Sequence, residues 1–226
     1  MTLYKLSPSS LTFFWDECPR CFYLQIVRGI NRPSMVFPGV FSRIDSLMKK
    51  LFAGQPTSAL SPDLPPGRVT LQGKWVNSAP IAFPGIEASC YIKGAFDSVL
   101  AFDDGSYAVV DFKTTSPNRQ HIGFYGRQLS AYAYALEHPA ENGLRLAPIS
   151  RLGLLYLDPV DIEHGADHRR IVYGGEVTWQ EIPKAEDKFL EFLRGVLEVL
   201  SLPEPPPASE GCGFCAYRAE ARRHGL

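Results

Sequence analysis

No stretch of this chain stays apolar for the length a bilayer crossing needs, and the first residues, Met1-Thr2-Leu3-Tyr4-Lys5-Leu6, lack the pattern of a secretion signal. A membrane location is therefore not expected, and the cytoplasm is the expected compartment. Charge of one sign is lacking too. With 23 Lys and Arg against 24 Asp and Glu, the net charge is −1, so the whole-molecule field does not attract a polyanion. A nucleic-acid partner would have to be held by a local patch. No internal repeat is present. Cysteine is scarce at five residues, yet four of them form two Cys-x2-Cys pairs, Cys18/Cys21 and Cys212/Cys215, near opposite ends of the chain. In a reducing compartment such spacing points to metal before disulfide. The pairs can share one site only if the two ends meet. Cys90 stands alone and reads as a small core residue.

What is there suits a globular α/β chain. At 226 residues, 45% hydrophobic and 21% charged, the sequence can build one sizeable core, as one domain or as a domain with an appendage. Ser9 or Ser10 is a candidate N-cap for a helix through Leu11, Phe14, Trp15 and Cys18, which Pro19 should end or kink. The apolar run 22–27 continues before Gly29 and a loop from Asn31 to Ser34. A helix over 40–52 places Phe41, Ile44, Leu47, Met48 and Leu51 on one stripe, with Arg43, Lys49 and Lys50 largely off it as a solvated or phosphate-facing set. Residues 54–68 read as loop, and 69–75 and 86–92 as strands. A polar stretch, 113–119, leads to a helix over 124–137, with Gln128, Leu129, Tyr132 and Leu136 at helical spacing. Residues 152–157 read as a buried strand, 161–170 as a polar loop and 171–177 as another strand. A helix over 183–200 follows, with Phe189, Phe192, Leu193, Val196 and Leu197 inward. The Pro-rich residues 203–207 then form a linker to the second cysteine pair.

The most informative stretch runs from Gly94-Ala95-Phe96-Asp97 to Asp111-Phe112-Lys113. Apolar runs 98–102 and 107–110 flank Asp103-Asp104-Gly105-Ser106, a strong hairpin signal. In an antiparallel pair the start of one strand lies beside the end of the other, so Asp97 and Asp111 should meet, with Lys113 on the same face as Asp111. Two adjacent carboxylates repel unless they share a proton or bind a cation. A charged surface hairpin and a divalent-metal site are both consistent with this trio.

Four features in order make the chain resemble the PD-(D/E)XK nuclease superfamily, specifically its RecB-like branch, which includes the CRISPR-associated RecB-like nucleases and the AddB nuclease domain. They are Ser9-Ser10-Leu11 leading to Cys18-Pro19-Arg20-Cys21-Phe22-Tyr23-Leu24, the pair Gly94-x2-Asp97 and Asp111-x-Lys113, Gln128-Leu129-x2-Tyr132, and Cys212-x2-Cys215-x-Tyr217. The resemblance implies an α/β, restriction-endonuclease-like fold, a mixed central sheet flanked by helices, with residues 1–226 as one nuclease-like domain. It implies Mg²⁺ or Mn²⁺ on Asp97, Asp111 and the carbonyl of Phe112, with Lys113 stabilising the nucleophile or the developing charge and Gln128 and Tyr132 lining the site. The implied activity is hydrolysis of DNA ends or single strands. The alternative is a catalytically weak, nuclease-like DNA-binding subunit of a repair or defence complex. Two departures stand out. The metal-binding His that RecB-like members carry at a Gly-x3-His spacing is Arg43 here, with Asp45 two residues on, and the further C-terminal cysteine of iron-sulfur members is Ala221. Cys21 brings the thiols to four, a set that suits tetrahedral zinc, a [4Fe-4S] cluster or four reduced thiols. A metal there would clasp the termini.

Overall fold

The computed structural model describes residues 2–33, 38–117, 121–166 and 169–225. Ser34, Asn118, Arg119 and residues 167–168, which the sequence assigns to loops, lie outside the described residues.

The framework is two mixed sheets flanked by helices, consistent with the expected restriction-endonuclease-like α/β fold. In the first, β5 (Ala88–Ala95) pairs in parallel with β1 (Thr2–Leu6) and antiparallel with β3 (Trp75–Asn77) and β4 (Ile81–Ala82). In the second, the order is β2 (Gly67–Gln72), β6 (Ser98–Phe102), β7 (Tyr107–Lys113), β8 (Ile149–His164) and β9 (Ile171–Ile182), and only β7 and β8 run parallel. The chain passes between the sheets at Phe96-Asp97, between β5 and β6. This seam also breaks the strand expected over 69–75, which turns at Gly73 with φ of +60°.

The expected hairpin is β6–β7, with Ser98 opposite Val110, so that Asp97 and Asp111 fall side by side at its open end. Gly105 turns it with φ of +85°, and Asp104 Oδ1 accepts the Ser106 N–H at 2.8 Å. Along β7 the two-residue period sends Val109 into one core cluster and Ala108, Val110 and Phe112 into another, each on its own face of the sheet. Helix α4 (Ile122–Glu137) covers the first face, and its buried Ala131, Ala133 and Ala135 permit close approach. Helix α5 (Glu186–Leu200) packs beside it through Phe189, Leu193, Val196 and Leu197, with Phe192 only partly buried. Met48 and Phe52 of helix α3 (Gly39–Phe52) seal the second cluster.

Several local expectations are corrected. The N-terminal helix is three pieces: a 3-10 turn over Pro8–Leu11, helix α1 (Phe13–Glu17) and helix α2 (Pro19–Arg28). Neither Ser9 nor Ser10 caps the start. Ser7 does, its hydroxyl accepting the Ser10 N–H at 3.3 Å. Cys18 is the extended kink residue, and Pro19 opens α2 because its fixed φ suits a first helical position. Residues 54–68 include a 3-10 turn over Thr57–Ala59. Residues 161–164 of the loop expected over 161–170 are strand, since β8 and β9 continue as a ribbon pairing His164 with Ile171. On α3 the predicted stripe is largely exposed, with Phe41, Leu47 and Leu51 open to solvent. After residues 203–207 comes helix α6 (Gly213–Arg223). No described helix is long and apolar enough to cross a membrane.

Candidate active site and cysteine cluster

Asp111 is the buried centre of the first site. The alternation along β7 turns it, like Val109, towards α4, where the Gln128 amide donates to Asp111 Oδ1 at 2.9 Å. Lys113, two residues on, forms an ion pair with Asp111 Oδ2, which makes no hydrogen bond among the described residues. The Lys113 ammonium also lies 4.1 Å from the centre of the Tyr125 ring, which holds it over the site. Asp97 lies at the seam. Its Oδ2 accepts the Phe112 N–H at 2.8 Å and its Oδ1 meets Lys49 Nζ at 2.8 Å. Burial pushes the Asp111 carboxyl up from 3.8 to about 6, against the pull of Lys113 and with added repulsion from Asp97.

Tyr132 does not point its hydroxyl into open space. It donates to the carbonyl of Ala95 at 2.7 Å and so ties α4 to the end of β5. Burial, with the charges of Asp111 and Asp97 adding to it, raises the Tyr132 phenol well above its ordinary value and keeps it a donor. Phe112 turns its ring away from Asp111, 6.0 Å from that of Phe52, and reaches the site through its backbone. Gly94 is required by the same junction, since a Cβ there would stand 2.7 Å from Cδ of Pro8.

Lys49 is the residue that sequence reasoning missed. Off the apolar stripe, it looked like part of a solvated face; in the fold its ammonium bridges Asp45 Oδ2 and Asp97 Oδ1, each at 2.8 Å. Burial opposes its charge, but the hydrogen bonds it donates to the two carboxylates and their negative charge prevail and raise its pKa. Arg43, where RecB-like members carry His, is exposed. Asp45 therefore reaches Asp97 through an ammonium. A Lys at i+4 from Asp on a helix was the available signal, but nothing local says that Asp97 completes the bridge.

Of these residues Asp45, Phe112, Lys113, Tyr125 and Gln128 line a cleft of about 700 Å³, together with Ser9, Thr12, Phe13, Phe41, Ser42 and Thr114.

The second site joins the chain ends. Cys18 and Cys212 are the N-cap residues of α2 and α6, and Cys21 and Cys215 sit three residues into each helix. Sulfur separations are 3.8 Å for Cys18–Cys215, 3.8 Å for Cys21–Cys212 and 3.5 Å for Cys21–Cys215, and all four sulfurs lie within 4.8 Å of one another. No disulfide links the described cysteines. Burial works against ionisation of Cys18, yet hydrogen bonds from the Ser209 and Cys21 backbone and the Cys212 and Cys215 thiols hold its thiol down to about 6. Burial raises Cys21 and Cys215. Cys90 is apart from this group, fully buried and pushed up to about 12 by burial alone, as expected of a core thiol.

No curated protein matches the chain. Among solved structures, the crystal structure of SSO0001 is similar at 14% identity and a TM-score of 0.47, over 95% of this chain and 84% of that one. A family model, the PD-(D/E)XK nuclease superfamily, matches residues 69–219, a span that holds Asp97, Asp111, Lys113, Gln128, Tyr132 and the second cysteine pair but not α3 or the first pair. With more than half of the chain matched in this way, the chain belongs to the PD-(D/E)XK nuclease superfamily.

Proposed function

We propose that the chain is a metal-dependent nuclease of the RecB-like type that hydrolyses phosphodiester bonds at DNA ends or in single strands. The observation that carries this reading is the meeting of Asp97 and Asp111 at the open end of the β6–β7 hairpin, with Lys113 beside them at a cleft. The donor set fits a hard divalent cation. Two carboxylates fall side by side at the open end of the hairpin, and buried Asp111 Oδ2 is met by the Lys113 ammonium. Asp97 and Asp111 would hold Mg²⁺ or Mn²⁺, with the carbonyl of Phe112 as the third protein ligand. When bound, the ion supplies a water of lowered pKa and neutralises charge on the scissile phosphate.

The chain's own groups do the remaining work. Lys113, held by Asp111 and the Tyr125 ring, presents a positive charge to the phosphate as negative charge develops. Gln128 fixes the Asp111 carboxylate, and Tyr132 fixes the backbone that leads into Asp97. The hydroxyls of Ser42 and Thr114 can donate to phosphate oxygens, and Phe13 and Phe41 offer apolar rings against which unpaired bases can stack. A duplex buries the faces of its own bases in its stack, which favours ends and single strands. Four thiols that bring both ends together support the reading of residues 1–226 as one unit closed by a metal clasp.

One observation favours a second reading, a DNA-binding subunit with a weakened site: the ammonium of Lys49 already neutralises Asp97 Oδ1, and no His or third carboxylate closes on Asp97 and Asp111 among the described residues. Purified protein with Mn²⁺ or Mg²⁺ on labelled single-stranded DNA, duplex DNA and RNA separates the two. Metal-dependent cleavage of DNA that Asp111→Ala abolishes supports the nuclease. Binding to single-stranded DNA without cleavage supports the second reading, and cleavage unchanged by Asp111→Ala overturns the site.

A further inference from the structure

The RecB-like resemblance carries an iron-sulfur precedent, and the geometry of the four thiols does not fit it. Three sulfur pairs lie 3.5–3.8 Å apart and none exceeds 4.8 Å. Four thiolates placed about 2.3 Å from one tetrahedral ion stand about 3.8 Å from each other. A [4Fe-4S] cluster interposes a cube of irons and sulfides between its thiolates, and so needs them farther apart than a single ion does. The helix layout explains why the shell closes so tightly. Each Cys-x2-Cys pair occupies the N-cap and third position of its helix, and the two helices repeat the same local pattern. Phe22 N–H donates to the Cys18 carbonyl and Ala216 N–H to the Cys212 carbonyl, both at 3.0 Å. Two helix starts thus face each other across the sulfurs, and both dipoles favour thiolate charge. The position of the family's further cysteine, Ala221, lies six residues beyond Cys215 on α6, about 9 Å along the axis at 1.5 Å per residue. Cys21 supplies the fourth sulfur from the opposite helix instead.

A single M²⁺ with four thiolates leaves a net charge of −2, and one side chain is arranged to meet it. Arg32 Nη2 donates to Cys212 Sγ at 3.8 Å, and its charge also bears on Cys21. Its guanidinium lies between the rings of Phe14 and Phe214, 4.6 and 4.5 Å from their centres, and pairs with Glu17. Those rings belong to α1 and α6, so Arg32 joins both halves of the clasp as well as its sulfurs.

We infer that Cys18, Cys21, Cys212 and Cys215 form a closed, structural tetrahedral zinc site in place of an iron-sulfur cluster, with Arg32 as the positioning residue that neutralises and orients its thiolates. This inference is independent of the nuclease reading, since it concerns metal identity and retention and is tested without DNA. Full-length protein from cells supplied with both zinc and iron, purified without oxygen, should be colourless and hold about one zinc per chain. Exchange with Co²⁺ should give the intense thiolate-to-cobalt and ligand-field bands of a tetrahedral four-sulfur site. Arg32→Met, which keeps an apolar stem between the two rings, should lose zinc to a competing chelator about 10–100-fold more readily than the native protein. A brown protein containing iron and acid-labile sulfide overturns the zinc assignment, as do four thiols that react freely with no metal retained. Zinc retention unchanged in Arg32→Met overturns the role of Arg32 and leaves the metal assignment standing.

Discussion

Asp111 shows how one residue can work against the fold that holds it. Its carboxyl ionises near 3.8 when unfolded and at about 6 in the metal-free fold, because burial outweighs the attraction of Lys113. The folded chain therefore keeps this proton to higher pH than the unfolded chain, so stability from this group is complete below 3.8 and is lost as pH rises to about 6. At 1.36 kcal/mol per pH unit the loss is up to about 3 kcal/mol. Asp111→Asn should thus be at least as stable as the native protein at pH 7.5 without added divalent metal. It should show a smaller fall in melting temperature between pH 4 and 7, and cleavage with Mn²⁺ should drop below detection. A steeper fall for the variant would contradict the burial argument. Lys49 makes the complementary prediction. Its ammonium occupies Asp97 Oδ1, so any cation arriving at Asp97 competes with it. Lys49→Met should bind Mn²⁺ about tenfold tighter by titration calorimetry, the equivalent of about 1.4 kcal/mol. Weaker binding would mean that Lys49 helps to hold the metal.

At the scale of elements, the site depends on how closely the 3-10 turn over Pro8–Leu11 approaches β5. Gly94 permits that approach. An added Cβ would stand 2.7 Å from Pro8 Cδ and 3.2 Å from Pro8 Cγ, and a proline ring cannot swing away as a flexible side chain would. Gly94→Ala should cost about 1–3 kcal/mol in urea unfolding, the usual range for overpacking a filled interior. Because Ser9 and Thr12 on and beside this turn line the cleft, displacement of the turn should also weaken binding of single-stranded DNA. A variant with native stability would show that the turn yields freely.

Across the whole molecule, the chain ends are held in two ways. Helix α2 grips the Pro-rich segment without any metal: the Tyr23 hydroxyl donates to the Leu202 carbonyl at 2.8 Å, and Arg20 and Arg28 donate to the carbonyls of Pro206 and Pro203 at 2.9 and 3.2 Å. Helix α6 has no buried residue of its own and depends on the cysteine cluster, Arg32 and Arg218, whose Nη2 reaches the Asn31 carbonyl at 3.4 Å. Chelation should therefore release α6 while leaving the sheets folded. Limited trypsin digestion of chelated protein should cut at Arg218, Arg222 or Arg223 before any site in the core. The melting temperature should fall by about 5–10 °C, at 2–4 °C per kcal/mol for a chain of this length. Loss of the whole circular-dichroism signal on chelation would mean that the clasp supports the core itself.

The sequence by itself determined what depends on short-range order. Alternating apolar runs around Asp103-Asp104-Gly105-Ser106 specify a hairpin, the hairpin register brings Asp97 beside Asp111, and helical spacing puts Gln128 and Tyr132 on one face. Paired cysteines at both ends allowed a shared site, which required the chain ends to meet. Tertiary structure alone decided that the Asp45–Lys49 pair of α3 turns inward, because its charges read as a solvated or phosphate-facing set and only Asp97, at the seam between the sheets, completes the bridge. It also divided the strands between two sheets at Asp97, turned the Tyr132 hydroxyl to the Ala95 carbonyl, and brought the four sulfurs within 4.8 Å of one another. Each of these is a distance between residues remote in sequence, set by the packing of whole elements, and local propensity carries no information about it.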